Sequence, residues 1–444
     1  MHTYTTALSP AQDGPLDTAI ALLVKHRHED YYAYEHEGTW HLGLGSHASL
    51  VVSPDGKTAT KVGPDAQQVS SHVTESLNDV ARAFAAEYSA LGKIFGHVGF
   101  NYSAIVSGQP FNPSRWPILS LLVPRVHVSI SSDRVTVTSG LDDDARAIDN
   151  FINSSILAGT TPPVSNAFIH VDVQTDEDNY ASRVSRAIAE IRDGKYSKVI
   201  PSRIVNLSER VDMLATLYHG RRANTPARSF TLRHTGIEAT GFSPEVLLSI
   251  KGQNVFTDAV AGTKLAERSE AESAYKSLLG DPKEMMEHMI AIQSSVKLLS
   301  QICSRESIAI RDFASPMPRG NVCHLFSLVT GTLARAKDGW DALPGLGASI
   351  TVPALPGQEH TKAINAFEPY PRDMYFGAVI MIDPAENFFE ATLVLRTVFQ
   401  DHERQWLQAG AGVTTLSTPE REFTETCEKL GSIYPHLVAA TTAR

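Results

Sequence analysis

Four glutamates stand out as two pairs with the same spacing. Glu284 and Glu287 lie in DPKEMMEHMIAIQSSVKLLSQI, and Glu422 and Glu425 lie in TPEREFTETCEKL. A separation of three puts both members of a pair on one helix face. Two such faces brought together would repel unless a cation lay between them, and oxygen ligands that keep part of a hydration shell suit Mg2+. The same spacing also decorates solvated helix surfaces, so by itself it leaves both readings open.

Other residue types carry chemistry of their own. Lys198 in KYSKVIPSR sits beside Val199 and Ile200 in a strand-like run. Desolvation there would favour the neutral amine and make a general base; the alternative is an exposed lysine at a sheet edge. In GFSPE, Pro244 sets a turn and delivers Glu245 to the apolar run VLLSI. Its carboxyl could stay protonated and serve as an acid, or be a strand-edge glutamate. Arg396 interrupts the apolar strand LVLRTVF and requires an anion, either a ligand carboxylate or an internal acid. Gly410 and Gly412 of AGAGV either expose backbone N–H groups to an anion or allow close packing. His324 in NVCHLFS either orients a ligand or is a satisfied core histidine.

The chain that must position these groups has 444 residues, enough for a large core. Its 39 Lys and Arg against 49 Asp and Glu give a net charge of -10, which lacks the basic footprint of a nucleic-acid partner. Cys303, Cys323 and Cys427 form no CxxC pair and read as reduced thiols of a cytoplasmic protein. The opening MHTYTTALSPAQDG has no signal-peptide pattern, and no uninterrupted apolar run approaches the roughly 18 residues of a membrane span.

SFTLRH, GIEATGF, VLLSIKG and NVFTDAV, separated by turn residues, predict antiparallel strands. FGAVIMID, FFEATLVLRTVF and RQWLQAGAGV predict three more. Met285, Met289, Ile292, Val296 and Leu299 recur at helical spacing and predict a core-facing stripe opposite the glutamates. Pro419 stands at the favoured first position of a second helix. LDDDARAIDN followed by AGTTPPVSN, in the stretch 141–164, reads as a connection between a mixed first part and a sheet-plus-helix second part.

The motifs KVIPSR, RRANTPARSF, GFSPE, AGT, KEMMEH, VCHL, MYFGAV, LQAGAG and PEREFTETCEKL, in that order, resemble the chorismate-utilising enzymes. That family includes salicylate, isochorismate, anthranilate and aminodeoxychorismate synthases, and the likeness is strongest to the salicylate synthases. It is dense over 161–444 and looser over 1–160, within one large domain spanning 1–444. The resemblance implies an α/β fold of α+β type with two mixed, mainly antiparallel sheets packed together and helices outside. It implies Lys198 as the base that activates water at C2 of chorismate and Glu245 as the acid that protonates the departing C4 hydroxyl. Glu284, Glu287, Glu422 and Glu425 match the family's Mg2+ site. Gly262, Thr263, Tyr375, Arg396, Gly410, Gly412 and Lys429 match substrate-gripping or pocket-lining positions, and His324 and Thr351 match positions tied to salicylate formation.

The activity so implied is Mg2+-dependent conversion of chorismate to isochorismate and then to salicylate and pyruvate, by a cytoplasmic monomer. Stopping at isochorismate, or a divergent paralogue with altered substrate or binding alone, is the alternative. A lysine at position 198 selects water over ammonia, and no cysteine stands in a Gly-x-Cys-x-Gly elbow, so no glutaminase subunit is expected. The chain departs from the family at TVPALPG, where Pro353, Ala354 and Gly357 replace Ser, Gly and Lys. It departs again at Pro201 and at Ala259, which stands in place of a proline.

Overall fold

The runs Thr39–Val52 and Leu119–Ile130 are long enough to serve both of the expected sheets, and they join them into one continuous, curled sheet of 19 strands among the described residues. Their antiparallel ladder shifts register between Ser46 and Ala48, with Gly45 at φ 63° and Pro124 opposite Ser46. A bulge bends and twists the strand that carries it, so the two halves of the ladder diverge. The computed structural model describes residues 1–8, 14–156, 159, 164–265, 270–319, 322–345 and 360–440.

From the Thr39 end, one sheet runs through Tyr31–His36, Arg228–His234, Ile237–Ser243, Thr397–Gln400 and Gln405–Gly410 to Ser202–Asn206. On its other flank lie Arg134–Ser139 and His2–Ala7. From the Val52 end, the second sheet runs through Ile94–Val98, Ala378–Asp383, Phe388–Leu393, Val246–Lys251, Asn254–Leu265 and Val322–Thr332 to Ala309–Arg319. Thr58–Val62 and Gln68–His72 flank it. The expected mixed pairing is corrected: every ladder among the described strands is antiparallel. Many neighbours are joined by short turns, a connection only antiparallel strands permit.

Apolar side chains fill the sheet faces. Phe95, Leu121, Leu248 and Ile380 belong to one core. Leu42, Val128, Leu217 and Leu407 belong to another, under the helices Pro15–Lys25 and Met213–Ala223. A buried polar tie links the sheets. Arg228 of the first sheet donates to both oxygens of Glu390 in the second, at 2.6 and 2.8 Å, and the Tyr34 hydroxyl donates to the same carboxylate at 2.8 Å. Such a forked, desolvated pair fixes geometry because losing either partner strands a buried charge.

The chain passes between the sheets twice near one point. Pro244 and Glu245 join Ile237–Ser243 to Val246–Lys251, and Val394 to Arg396 join Phe388–Leu393 to Thr397–Gln400. The crossings brace each other: Glu245 O accepts from Leu393 N and Thr392 Oγ1, and Arg396 O accepts from Phe242 N. The single strand read in FFEATLVLRTVF is therefore two, and Arg396 sits at the break with φ 51° rather than within a strand. Lys198 likewise precedes its strand, which begins at Ser202; Pro201 cannot donate to a ladder. Only the Val199–Val413 bridge pairs this approach.

Candidate active site

A cleft of ≈ 1290 Å3, open mouth included, lies where the two crossings meet. Lys198, Glu245, Gly262, Thr263, Glu284, Glu287, His324, Tyr375, Arg396, Gly410, Gly412, Glu425 and Lys429 all line it. Of the residues singled out in the sequence, Glu422 lies buried behind the wall, and Thr351 and the TVPALPG segment fall outside the described residues.

Glu245 and Lys198 both line the cleft, and both are buried. Burial holds the Glu245 carboxyl well above its ordinary value, the nearby charge of Asp258 adds to this, and Lys198 opposes it. Asp258 also lines the cleft, and its Oδ2 accepts from Val246 N at 2.8 Å, next to Glu245 in the chain. Its carboxyl is pushed up to about 6 by burial. Sequence reasoning missed it, although a lone aspartate in the apolar alternation VFTDAV was a usable signal. The Lys198 ammonium donates to Glu287 Oε2 at 3.0 Å. The segment carrying Lys198 is pinned from below: Glu368 accepts from Ser202 N and Oγ at 2.7 and 2.8 Å, and Arg372 bonds both Glu368 and Ile200 O.

Another wall of the cleft is built on Arg396 and His324. Arg396 Nη2 is 2.6 Å from His324 Nε2. Because guanidinium only donates, this imidazole nitrogen accepts, which leaves the proton on Nδ1, within 3.2 Å of Gly262 O and 3.1 Å of Thr263 Oγ1. Burial, reinforced by Arg396, holds the imidazole pKa well below its ordinary value and keeps it neutral. Arg396 pairs with no carboxylate among the described residues, and burial lowers its pKa to about 10. A buried guanidinium with a neutral partner is set to take a ligand carboxylate.

The AGAGV glycines are explained by close approach. A Cβ on Gly412 would lie 2.5 Å from Glu287 Oε2 and 2.9 Å from Lys198 Cε. On Gly410 it would lie 2.5 Å from Pro201 O and 3.2 Å from the Tyr375 hydroxyl. The carbonyl at Pro201 belongs to the pinned segment and cannot withdraw cheaply. Gly410→Ala is therefore expected to cost about 1–3 kcal/mol of stability through overpacking, read from urea unfolding midpoints.

The two glutamate pairs do converge. Asp281 caps Pro282–Ile302 by accepting from Lys283 N at 2.9 Å, and Thr418 caps Pro419–Leu430, so the first turns of both helices face one another's carboxylates. All four glutamates are buried. This corrects the apolar stripe: Met289 is 38% exposed, and the helix buries Glu284, Glu287, His288 and Ser295 along with Ile292, Leu298 and Leu299. The acids can be buried because they have partners. Thr263 N donates to Glu284 Oε2 at 2.9 Å, and Lys429 Nζ lies 2.8 Å from Glu425 Oε1 while donating to Gly410 O at 3.0 Å. Lys283, in a motif noted in the sequence but given no role there, puts its ammonium 3.4, 3.2, 3.2 and 3.7 Å from Glu284, Glu287, Glu422 and Glu425.

The donor set fits a hard divalent cation. It is all oxygen, a cation already stands at its centre, and Glu287 Oε1 and both Glu422 oxygens accept no hydrogen bond. As the side chains stand here, with Lys283 among the carboxylates, no group of three or more His, Cys, Asp or Glu among the described residues is arranged to hold a metal ion. Burial and the charge of Glu425 raise the Glu422 carboxyl, whereas Lys429 and Lys283 overcome burial and hold Glu425 low.

The chain belongs to the chorismate-binding enzymes: the chorismate binding enzyme model matches residues 29–435. It is 33% identical over 97% of its length to the salicylate synthase of Mycolicibacterium paratuberculosis, 95% of which is covered. It is 27% identical over 61% of its length to anthranilate synthase component 1 of Mycolicibacterium smegmatis, with 53% of that protein covered. Its fold is similar to that of the menaquinone-specific isochorismate synthase from Escherichia coli, with a TM-score of 0.71 and 20% identity, covering 98% of this chain and 94% of that one. No helix among the described residues is long and apolar enough to cross a membrane.

Proposed function

We propose that the protein is a salicylate synthase, converting chorismate to isochorismate and then to salicylate and pyruvate. The observation that carries this reading is the meeting of Lys198 and Glu245 in one cleft, with Arg396, His324 and the four-glutamate cluster around them. In the first step Lys198, as the free amine with its own proton already released, takes a proton from water as the oxygen attacks C2 of the ring. Glu245 gives its proton to the C4 hydroxyl, which departs as water while the ring double bond shifts. Water is gained and lost, so the step is an isomerisation.

Glu284, Glu287, Glu422 and Glu425 would hold Mg2+, which when bound neutralises the substrate's ring carboxylate. Arg396 takes a second carboxylate and fixes the ring's orientation. Loss of pyruvate then proceeds through a cyclic rearrangement, for which the cleft supplies positioning rather than further acid or base groups. The same reading includes a cytoplasmic monomer that works without a glutaminase subunit.

The test is mass-resolved product analysis of the purified protein with chorismate, in Mg2+ and in chelator. Salicylate and pyruvate in equal amounts, with metal only, are expected. Isochorismate alone would restrict the activity to the first step, and unchanged chorismate would sink the proposal.

A further inference from the structure

The centre of the glutamate cluster holds a positive charge supplied by the chain itself. Lys283 belongs to the same helix as Glu284 and Glu287, and its ammonium reaches all four carboxylates, each within 3.7 Å. Among the described residues no other ammonium does this: Lys198 pairs with Glu287 alone, and Lys429 pairs with Glu425 alone. Four carboxylates therefore face three ammonium groups, and only Lys283 joins the two helices. Among the described residues it is also the only cation paired with Glu422, which is fully buried. Deleting that lysine would leave the fully buried Glu422 without a counter-charge, a costly arrangement.

We infer that Lys283 is an internal counter-ion that occupies the place of the divalent cation in the metal-free protein and must swing out when Mg2+ enters. This rests on the Mg2+ reading above and adds a mechanism to it. Binding becomes an exchange of one cation for another. The lysine keeps the two helix ends together without metal, and it weakens the apparent affinity for Mg2+, because only the fraction of molecules with the ammonium withdrawn can accept the ion.

The inference is tested without turnover, on the full chain, by melting curves in chelator and in saturating Mg2+ and by calorimetric titration with Mg2+ alone. Lys283→Met keeps an unbranched side chain, one heavy atom shorter, and removes its charge. In chelator it is expected to melt several degrees below the wild type, and Mg2+ is expected to close the gap. Its apparent Kd for Mg2+ should be tighter by about tenfold or more. If Lys283→Met accumulates folded only with Mg2+, that supports the same conclusion, and Lys283→Met/Glu422→Gln, which removes one carboxylate with the lysine, should recover folding in chelator.

A variant that melts with the wild type in chelator and binds Mg2+ equally would overturn the inference and leave the proposed function standing. So would a loss of stability that Mg2+ does not repair, or a double variant no better than the single one, since either would make the lysine a structural residue only. If neither protein binds Mg2+, the metal reading itself fails and this inference fails with it.

Discussion

Glu245→Gln is expected to lower kcat for chorismate by about 10²- to 10⁴-fold, with little change in KM. Glutamine preserves the shape of the side chain and can still donate a hydrogen bond, but it cannot surrender a proton to the leaving C4 hydroxyl. The wild-type enzyme should show the matching pH dependence. Burial and Asp258 raise the Glu245 carboxyl well above its ordinary value of 4.5, so the acid is armed below that raised pKa and disarmed above it. Activity should therefore fall as pH rises through it.

Stability follows the same sign. Between 4.5 and the raised value the folded protein binds the proton and the unfolded chain does not, so the native state loses stability as pH rises across that window. Glu245→Gln removes the titrating group, and its stability relative to wild type should improve over the same window. Denaturant melts at several pH values, alongside the rate profile, check both. An unchanged rate in Glu245→Gln would assign the acid elsewhere, with Asp258 the nearest candidate, since it lines the same cleft and is itself pushed up to about 6.

Much of this was legible in the residues, for reasons that differ from place to place. Pro244 marks a turn in any context, so the delivery of Glu245 from one strand to the next could be read directly. Arg396 could not be placed the same way. LVLRTVF contains no Gly, Pro or Asn to announce a bend, and its φ of 51° is imposed by the second sheet crossing, which only the tertiary structure supplies. The stripe from Met285 to Leu299 followed apolar periodicity, but the helix turns Glu284 and Glu287 inward because Lys283, Lys198 and the Thr263 amide wait there. Periodicity assumes that carboxylates face water, and a buried counter-charge reverses the preference. Lys283 carried a signal of its own, since it lies four residues from Glu287, yet spacing within one helix cannot reveal that a second helix brings Glu422 and Glu425 to the same ammonium. The pairing of Tyr31–His36 with Arg228–His234, and of Ile94–Val98 with Ala378–Asp383, was likewise beyond local reading.

If the protein runs the proposed reaction, Lys198→Met is expected to separate its two chemical steps. The first needs a base to take a proton from water, and the free amine of Lys198, which lines the same cleft as Glu245, would serve; its removal is expected to lower the rate from chorismate by about 10²- to 10⁴-fold. The second step, a cyclic rearrangement, needs the ring held between Arg396, His324 and the glutamate cluster, and no group must gain or lose a proton. Isochorismate supplied to Lys198→Met should therefore still yield salicylate and pyruvate at a rate near that of the wild type. Because the lysine also bonds Glu287 at 3.0 Å, the variant must be assayed at saturating Mg2+ so that a changed cluster is not mistaken for a missing base. Losing both steps in equal measure would show that Lys198 organises the cleft as a whole and does not serve the water addition in particular. Losing only the first would tie it to the water addition and leave the Arg396 wall, with its neutral His324 partner, as the feature that carries the substrate on to salicylate.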